Sequence, residues 1–186
     1  QELLHLQKTG GSTMRFQNPG VRVWNIGNDS TSFVIDDVTA GSERMRIDSS
    51  GRVTMPYQPM ACATWNGTQS QNAVVGSNFP IVVTNVGNHL SNGRFTCPVG
   101  GVYRATFVGM TQNTITIQVR LRLNAASLPS VANGFNAYSA GATYTKLGIS
   151  GLITCAANDV LDFFTDLGSG GAVHSQYGQI SFELVG

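Results

Sequence analysis

From residue 115 to residue 123 the chain alternates without a break. Ile115, Ile117, Val119, Leu121 and Leu123 share one parity; Thr116, Gln118, Arg120 and Arg122 share the other. Side chains of an extended strand point to opposite faces in turn, so this segment has one apolar and one polar face. That is the pattern of a half-buried antiparallel strand. Similar alternation runs through Val102–Met110, Lys146–Cys155, Val160–Leu167 and Gln179–Val185. Turn clusters separate these segments at a spacing of about ten residues, which points to an all-β sandwich or jelly roll. Helical periodicity is nearly absent. Its one candidate is Glu2–Gln7, where Leu3, Leu4 and Leu6 suit a strand equally.

The region from Thr13 to Pro56 has a different texture. Met14–Phe16, Val21–Ile26, Ser32–Ile35, Met45–Ile47 and Arg52–Met55 read as a meander of short strands joined by Asn18-Pro-Gly20, Gly27–Ser30 and Asp48–Gly51. Each carries only two or three large apolar side chains. About 45 residues of this kind cannot bury a core without disulfides or partners. The missing burial is therefore expected from other chains around a symmetry axis. Tyr57-Gln-Pro59 reads as a junction, giving a β-rich shaft or connector over residues 1–58 and a sandwich head over 59–186.

Charged residues make up 11% of the chain, less than half the usual quarter. Ser, Thr, Asn, Gln and 22 glycines must supply the polar surface, a composition that suits extracellular or virion proteins. A net charge of +1 provides no electrostatic footprint for nucleic acid. Apolar runs fall short of the roughly 18 residues of a membrane helix, and no signal-peptide pattern is present, so membrane insertion is not expected. The sequence starts at Gln1 without a Met, which reads as a fragment or processed product. Cys62, Cys97 and Cys155 form no CxxC pair, and they are expected to pack as buried reduced thiols.

Val83-Thr-Asn-Val-Gly-Asn88, followed by Asn92-Gly-Arg-Phe-Thr-Cys-Pro-Val-Gly-Gly-Val-Tyr-Arg-Ala-Thr-Phe107, resembles the globular heads of complement one-q and tumour necrosis factor. Their pattern is an N-x-G element, then G-x-F-x-C-P-x-x-G-x-Y before an aromatic-rich strand. Leu123-Asn124, Asn158-Asp159-Val160 and the ending Ser181–Val185 extend the likeness over about 125 residues. Asn158 stands where the family often has Gly, and Glu183-Leu184 replaces part of its usual ending. Pro98 marks a strand end. Gly100-Gly101 are expected to supply unusual φ values for the turn into the next strand. The resemblance implies a jelly-roll homotrimer with Tyr103 or Phe107 near the threefold axis; the plainer alternative makes them core residues.

Phe33-Val-Ile-Asp-Asp37 and Thr39–Val53, with its Arg44-Met-Arg-Ile-Asp-Ser-Ser-Gly-Arg-Val core, resemble the modules that precede the tips of phage tail fibres. Asp48 is suited to bond the backbone ahead of it and Gly51 to take a positive φ. A complement-like head on a β-shaft, without Gly-X-Y repeats, implies a phage source rather than an animal one.

No catalytic motif emerges, and the chain reads as a binding protein, not an enzyme. Asp159, Asp162, Asp166 and Glu183 are expected to be solvated or edge-facing rather than a hydrolytic pair. His5, His89 and His174 lack ligand spacing, and neither a metal nor a cofactor is expected from one chain. Asn28-Asp-Ser30 and Asn66-Gly-Thr68 fit glycosylation acceptors that would be idle turns in a phage.

The family topology implies three connections at the end away from the termini: Asn124–Gly134, Cys155–Asp159 and His174–Gly178. The receptor-binding candidates on or beside them are Asn133, Phe135, Asn136, Tyr138, His174, Gln176 and Tyr177, whose polar groups and aromatic faces suit sugars. The expected role is a virion tail-fibre tip that binds a host cell-surface polysaccharide or outer-membrane receptor, with other tail or baseplate proteins on the N-terminal side. Alternatives are a trimerisation head with recognition elsewhere, a polysaccharide depolymerase, and a secreted cellular complement-like protein.

Overall fold

The computed structural model describes residues 10–65, 73–76, 80–112, 117–127, 136–137, 145–167 and 172–186. They fall into two units, Gln1–Tyr57 and Gln58–Gly186. The helix-or-strand candidate Glu2–Gln7 lies outside the described residues.

In the first unit β1 (Ser12–Gln17), β2 (Val23–Asn28), β3 (Phe33–Asp37), β4 (Ser42–Ile47) and β5 (Val53–Thr54) form one antiparallel sheet in sequence order. Asp48 and Gly51 shape the last turn. Asp48 accepts the N–H groups of Ser50 and Arg52 at 2.8 and 3.0 Å, and Gly51 sits at φ 78°. The register sorts side chains cleanly. Met14, Ile26, Ile35 and Met45 form one cross-strand row; Phe33, Ile47 and Val53 form a second; Phe16 and Trp24 begin a third that ends in Asp37. All three rows share one face, by the two-residue period of the strand. The opposite face carries the Arg15–Asn25 hydrogen bond and the Arg46–Glu43 ion pair.

Asp37 is the buried charge of this unit. Its carboxylate pairs with Arg22 and Arg44 and accepts the Ala40 N–H. Burial pushes its pKa upward, but the Arg44 hydrogen bond, the Ala40 N–H and the Arg22 charge together outweigh that push and hold it below the ordinary carboxylate range.

The second unit is a two-sheet sandwich. Its strands are β6 (Met60–Trp65), β7 (Ala73–Val74), β8 (Pro80–Asn85), β9 (Leu90–Ser91), β10 (Arg94–Thr96), β11 (Gly101–Gln112), β12 (Ile117–Leu123), β13 (Ala126–Ser127), β14 (Asn136–Ala137), β15 (Thr145–Cys155), β16 (Val160–Leu167) and β17 (Ala172–Leu184). One sheet has the order β15-β11-β17-β6-β8. The other has β13-β12-β16-β10-β9, with β14 on β12 and β7 on β16. Neighbours that are distant in sequence, such as β6 beside β17, make this a jelly roll rather than a meander.

Alternation decides the core. Phe95, Tyr103, Phe107, Leu121, Phe163 and Phe182 are all buried between the sheets. Phe95 stacks on Phe182 at 5.2 Å between ring centroids, and Phe163 meets both Phe182 and Phe107. Each such side chain contributes about 1.5–3 kcal/mol by leaving water. Cys97 and Cys155 belong to the same core, and burial raises both thiol pKa values.

Tyr103 and Phe107, the threefold-axis candidates, are 0% exposed within a single chain. The Tyr103 hydroxyl donates to the Val99 carbonyl at 2.8 Å. They are core residues, because their parity on β11 points at the opposite sheet. The glycine expectation also changes. Neither Gly100 nor Gly101 has a positive φ. Gly101 is required for space, since a Cβ there would lie 2.6 Å from the Gly186 carbonyl oxygen.

Candidate functional site

Strand directions fix which end of the sandwich is tethered. Gly101 pairs with Cys155, and Met60 pairs with Glu183, so the beginnings of β6 and β11 and the ends of β15 and β17 share one end. There the Leu184 N–H donates to the Pro59 carbonyl at 3.0 Å and Gln58 Nε2 donates to the Leu184 carbonyl at 3.1 Å. Chain entry and chain exit are adjacent.

The Cys155–Asp159 connection and the described start of the Asn124–Gly134 connection, both expected at the opposite end, are here instead. The Cys155–Asp159 turn joins β15 to β16, and its Asn158 N–H donates to the Cys97 carbonyl at 2.7 Å. Asn124 begins a tight turn from β12 into β13 at the same end, because Leu123 pairs with Leu161. Asp159 accepts from Asn124 Nδ2 at 2.8 Å and from the Ala156 N–H at 2.7 Å. These donors, Asn124 first, lower its pKa. What this end presents is a locked turn cluster.

The third connection is not a loop. His174, Gln176 and Tyr177 lie within β17, and His174 pairs with Met110. Residues 175–178 form the irregular stretch where the register shifts between Val108 and Met110. Asn136 lies on β14, paired with Gln118 near the far end of β12. Asn133, Phe135 and Tyr138 fall outside the described residues, as do the side chains of Asn136, His174, Gln176 and Tyr177. The strand ends that face away from Pro59 and Leu184 are Trp65, Pro80, Gln112, Ile117, Ala137, Thr145, Leu167 and Ala172.

Of the acidic residues, Glu183 is partly solvated as expected, with a side chain 44% exposed, the Asp166 side chain lies outside the described residues, and Asp162 departs from the expectation. Asp162 is 1% exposed and receives Arg122 Nε and Nη2 at 2.7 and 2.8 Å, with Arg94 Nε at 3.4 Å. The Arg122 guanidinium also covers the Phe164 ring at 4.3 Å. A carboxylate clamped in this bidentate way has both oxygens committed to its own chain. Glu183 pairs with Arg104 at 2.9 Å across β11 and β17. Arg122 and Asp162 were legible as alternating strand residues, but only their pairing across β12 and β16 reveals the clamp.

The outer face of the β15-β11-β17-β6-β8 sheet was missed. Val108, Leu152, Met60 and Ile81 are exposed on it, around a hydrogen bond of 3.0 Å between Thr106 and Ser150. Its signal was the other parity of β11, where Val102, Thr106 and Val108 supply apolar and hydroxyl groups beside the single charge of Arg104.

Residues 58–186 therefore combine two sheets in jelly-roll connectivity with an aromatic core built on the Phe95–Phe107 run. The globular domain of zebrafish complement 1qA protein superimposes with a TM-score of 0.57 at 18% identity, over 69% of this chain and 98% of that domain. The head has the complement one-q and tumour necrosis factor fold. Eiger, a tumour necrosis factor from S. frugiperda, is similar at a TM-score of 0.51 and 12% identity, covering 69% of this chain and 93% of its own. No protein-family model and no curated protein matches the sequence.

Proposed function

We propose that this chain is the distal part of a phage tail fibre, a homotrimeric virion protein that binds a host cell-surface polysaccharide or outer-membrane receptor without catalysing a reaction. The observation that carries the reading is the geometry of the head: chain entry and exit meet at Pro59 and Leu184, which leaves the opposite strand ends clear of the tether. Recognition then belongs to the connections leaving Gln112, Ala137 and Leu167, with Asn136 beside them, and not to the Asn124 and Cys155–Asp159 turns. Three copies per tip raise the effective affinity of weak sites by about 10²–10⁴ if they engage together.

The trimer reading is supported by the outer face around Val108 and Leu152, where apolar side chains meet hydroxyls and few charges. That face also favours the second reading, a head whose main work is trimerisation. One experiment separates them. Purified protein is incubated with susceptible and resistant bacteria, and bound protein and released oligosaccharide are both measured. The tip reading expects binding to susceptible cells alone and no released sugar. Trimers that bind neither strain leave only the structural role, and released oligosaccharide makes the protein a depolymerase.

A further inference from the structure

Three cysteines are an odd set by count, but the fold sorts them as two and one. Cys62 lies half-buried on β6 and accepts a hydrogen bond from Gln179 Nε2 at 2.8 Å. Cys97 and Cys155 are free thiols buried in the head core, in the cluster that holds Phe95, Tyr103 and Phe182. Their side chains lie close enough to share a hydrogen bond, and Cys155 Sγ also donates to the Ile153 carbonyl at 3.9 Å.

The pair spans the sandwich. Cys97 directly follows β10 of one sheet, and Cys155 is the last residue of β15 in the other. Both backbones are held. The Cys97 N–H donates to the Asp159 carbonyl at 2.8 Å, and its carbonyl accepts the Asn158 N–H at 2.7 Å, which docks Cys97 on the turn that Cys155 opens. Cys155 pairs with Gly101 across β15 and β11. Disulfides form only where the backbone already brings the two side chains together, and here it does. A bridge between them closes a loop of about 60 residues, long enough to restrict the unfolded chain strongly.

We propose that Cys97 and Cys155 are an oxidative modification site, which a small-molecule disulfide closes into an intrachain bridge between the two sheets at the base of the head. Cys155, at 4% exposure against 0% for Cys97, reacts first. Its thiolate attacks one sulfur of the reagent, expels one reagent thiolate and forms a mixed disulfide. Cys97 Sγ then attacks Cys155 Sγ and expels the second reagent thiolate. The protein gives up two electrons and two protons, and the reagent leaves as two thiols. Burial raises both thiol pKa values, so closure is slow in the folded head and proceeds through local opening. The same burial shields the finished bridge from reductants.

Full-length protein is incubated with oxidised glutathione, with and without urea below its unfolding midpoint. It is then unfolded in excess urea with a maleimide, weighed intact and digested. One thiol per chain, that of Cys62, should label after oxidation, against three after reduction, and one peptide should join Cys97 to Cys155. Sub-denaturing urea should speed closure at least about tenfold. In urea unfolding the bridge should lower the unfolded fraction on the order of 10²-fold and make the slope shallower, because a crosslinked unfolded chain exposes less surface. Cys62→Ser should keep the bridge, and Cys155→Ala should abolish both the bridge and its effect. Three labelled thiols under both conditions overturn the site. So does a glutathione adduct that never resolves, a bridge that includes Cys62, or a bond between chains. A Cys97–Cys155 bridge that lowers the urea midpoint also overturns it, since the reduced pair is then the native state.

Discussion

Asn124 holds Asp159 across the base of the head, donating from Nδ2 to Oδ1 at 2.8 Å while its own Oδ1 accepts the Val160 N–H at 2.9 Å. One amide side chain thereby ties the turn after β12 to the turn before β16. Its backbone is left-handed at φ 51°, a conformation that Asn tolerates better than most residues. Asn124→Ala removes both hydrogen bonds and the tolerance together. The expected loss is about 1–3 kcal/mol in urea unfolding, with no change in the proposed cell binding per folded protein. Lost binding at full stability would return this turn to the recognition surface.

The next residue is the strained member of that turn. Ala125 has φ 65°, where its Cβ crowds the following carbonyl. Ala125→Gly is expected to stabilise the head by about 1 kcal/mol, because the two-residue turn between β12 and β13 needs positive φ at both positions. A rise in the denaturant midpoint with an unchanged slope is the signature. A fall would show that Ala125 makes a contact worth more than the strain it carries.

Opposite parities of β11 should respond in different ways. Tyr103→Phe deletes the hydroxyl that donates to Val99 and should cost about 0.5–1.5 kcal/mol while the mass stays that of three chains. Val108→Asp and Leu152→Asp place charge on the outer face and should lower the mass toward one chain, with the sandwich still folded by near-ultraviolet circular dichroism. If Tyr103→Phe dissociated the protein and Val108→Asp did not, the assignment of core and interface would be reversed.

Acid should loosen the first unit. Asp29, Asp37 and Asp48 all have folded-state pKa values below the ordinary carboxylate range. The main lowering contacts are the Arg46 hydrogen bond for Asp29, the Arg44 hydrogen bond for Asp37, and the Arg52 backbone N–H for Asp48. A depressed carboxylate adds stability that is complete above the unfolded value of about 3.9 and disappears as pH falls through the lower folded value. Denaturant midpoints are therefore expected to hold from neutral pH to about pH 5 and to drop below about pH 4. Asp48→Asn should flatten that drop in the signal from Trp24, measured on a Trp65→Phe background. Stability that rose on acidification would contradict the ion-pair assignment.

The NG turn supplies a steric test. Gly93 joins β9 to β10 at φ 74°, and a Cβ there would sit 2.1 Å from the Val75 carbonyl oxygen. Gly93→Ala must move backbone that β16 holds through Val75 N–H and the Phe163 carbonyl. Destabilisation of about 2 kcal/mol or more is expected in urea unfolding, well beyond the usual cost of a surface change.

Strand existence was legible because period-two alternation is a local property. The face of Val119, Leu121 and Leu123, the shared parity of Tyr103 and Phe107, and the Asp48–Gly51 turn all follow from residues within ten positions of one another. Asn158 belongs with them: at φ 71° it stands where the family often has Gly, and a left-handed Asn performs the same turn. Direction was not legible. Placing Asn124 and Cys155–Asp159 beside Pro59 rather than at the far end required knowing which strand ends adjoin it, and that depends on pairings between residues more than a hundred positions apart, such as Met60 with Glu183.

By itself, then, the sequence determined an all-β chain with a sandwich head, the shared parity of its aromatics and an under-covered leading segment, because side-chain alternation and turn chemistry act over a few residues. Only the tertiary structure decided that Tyr103 and Phe107 point into the core, that Asp162 is clamped by Arg122, and which turns lie beside the tether. Those outcomes arise where two sheets meet, and contact between distant strands leaves no mark on local spacing.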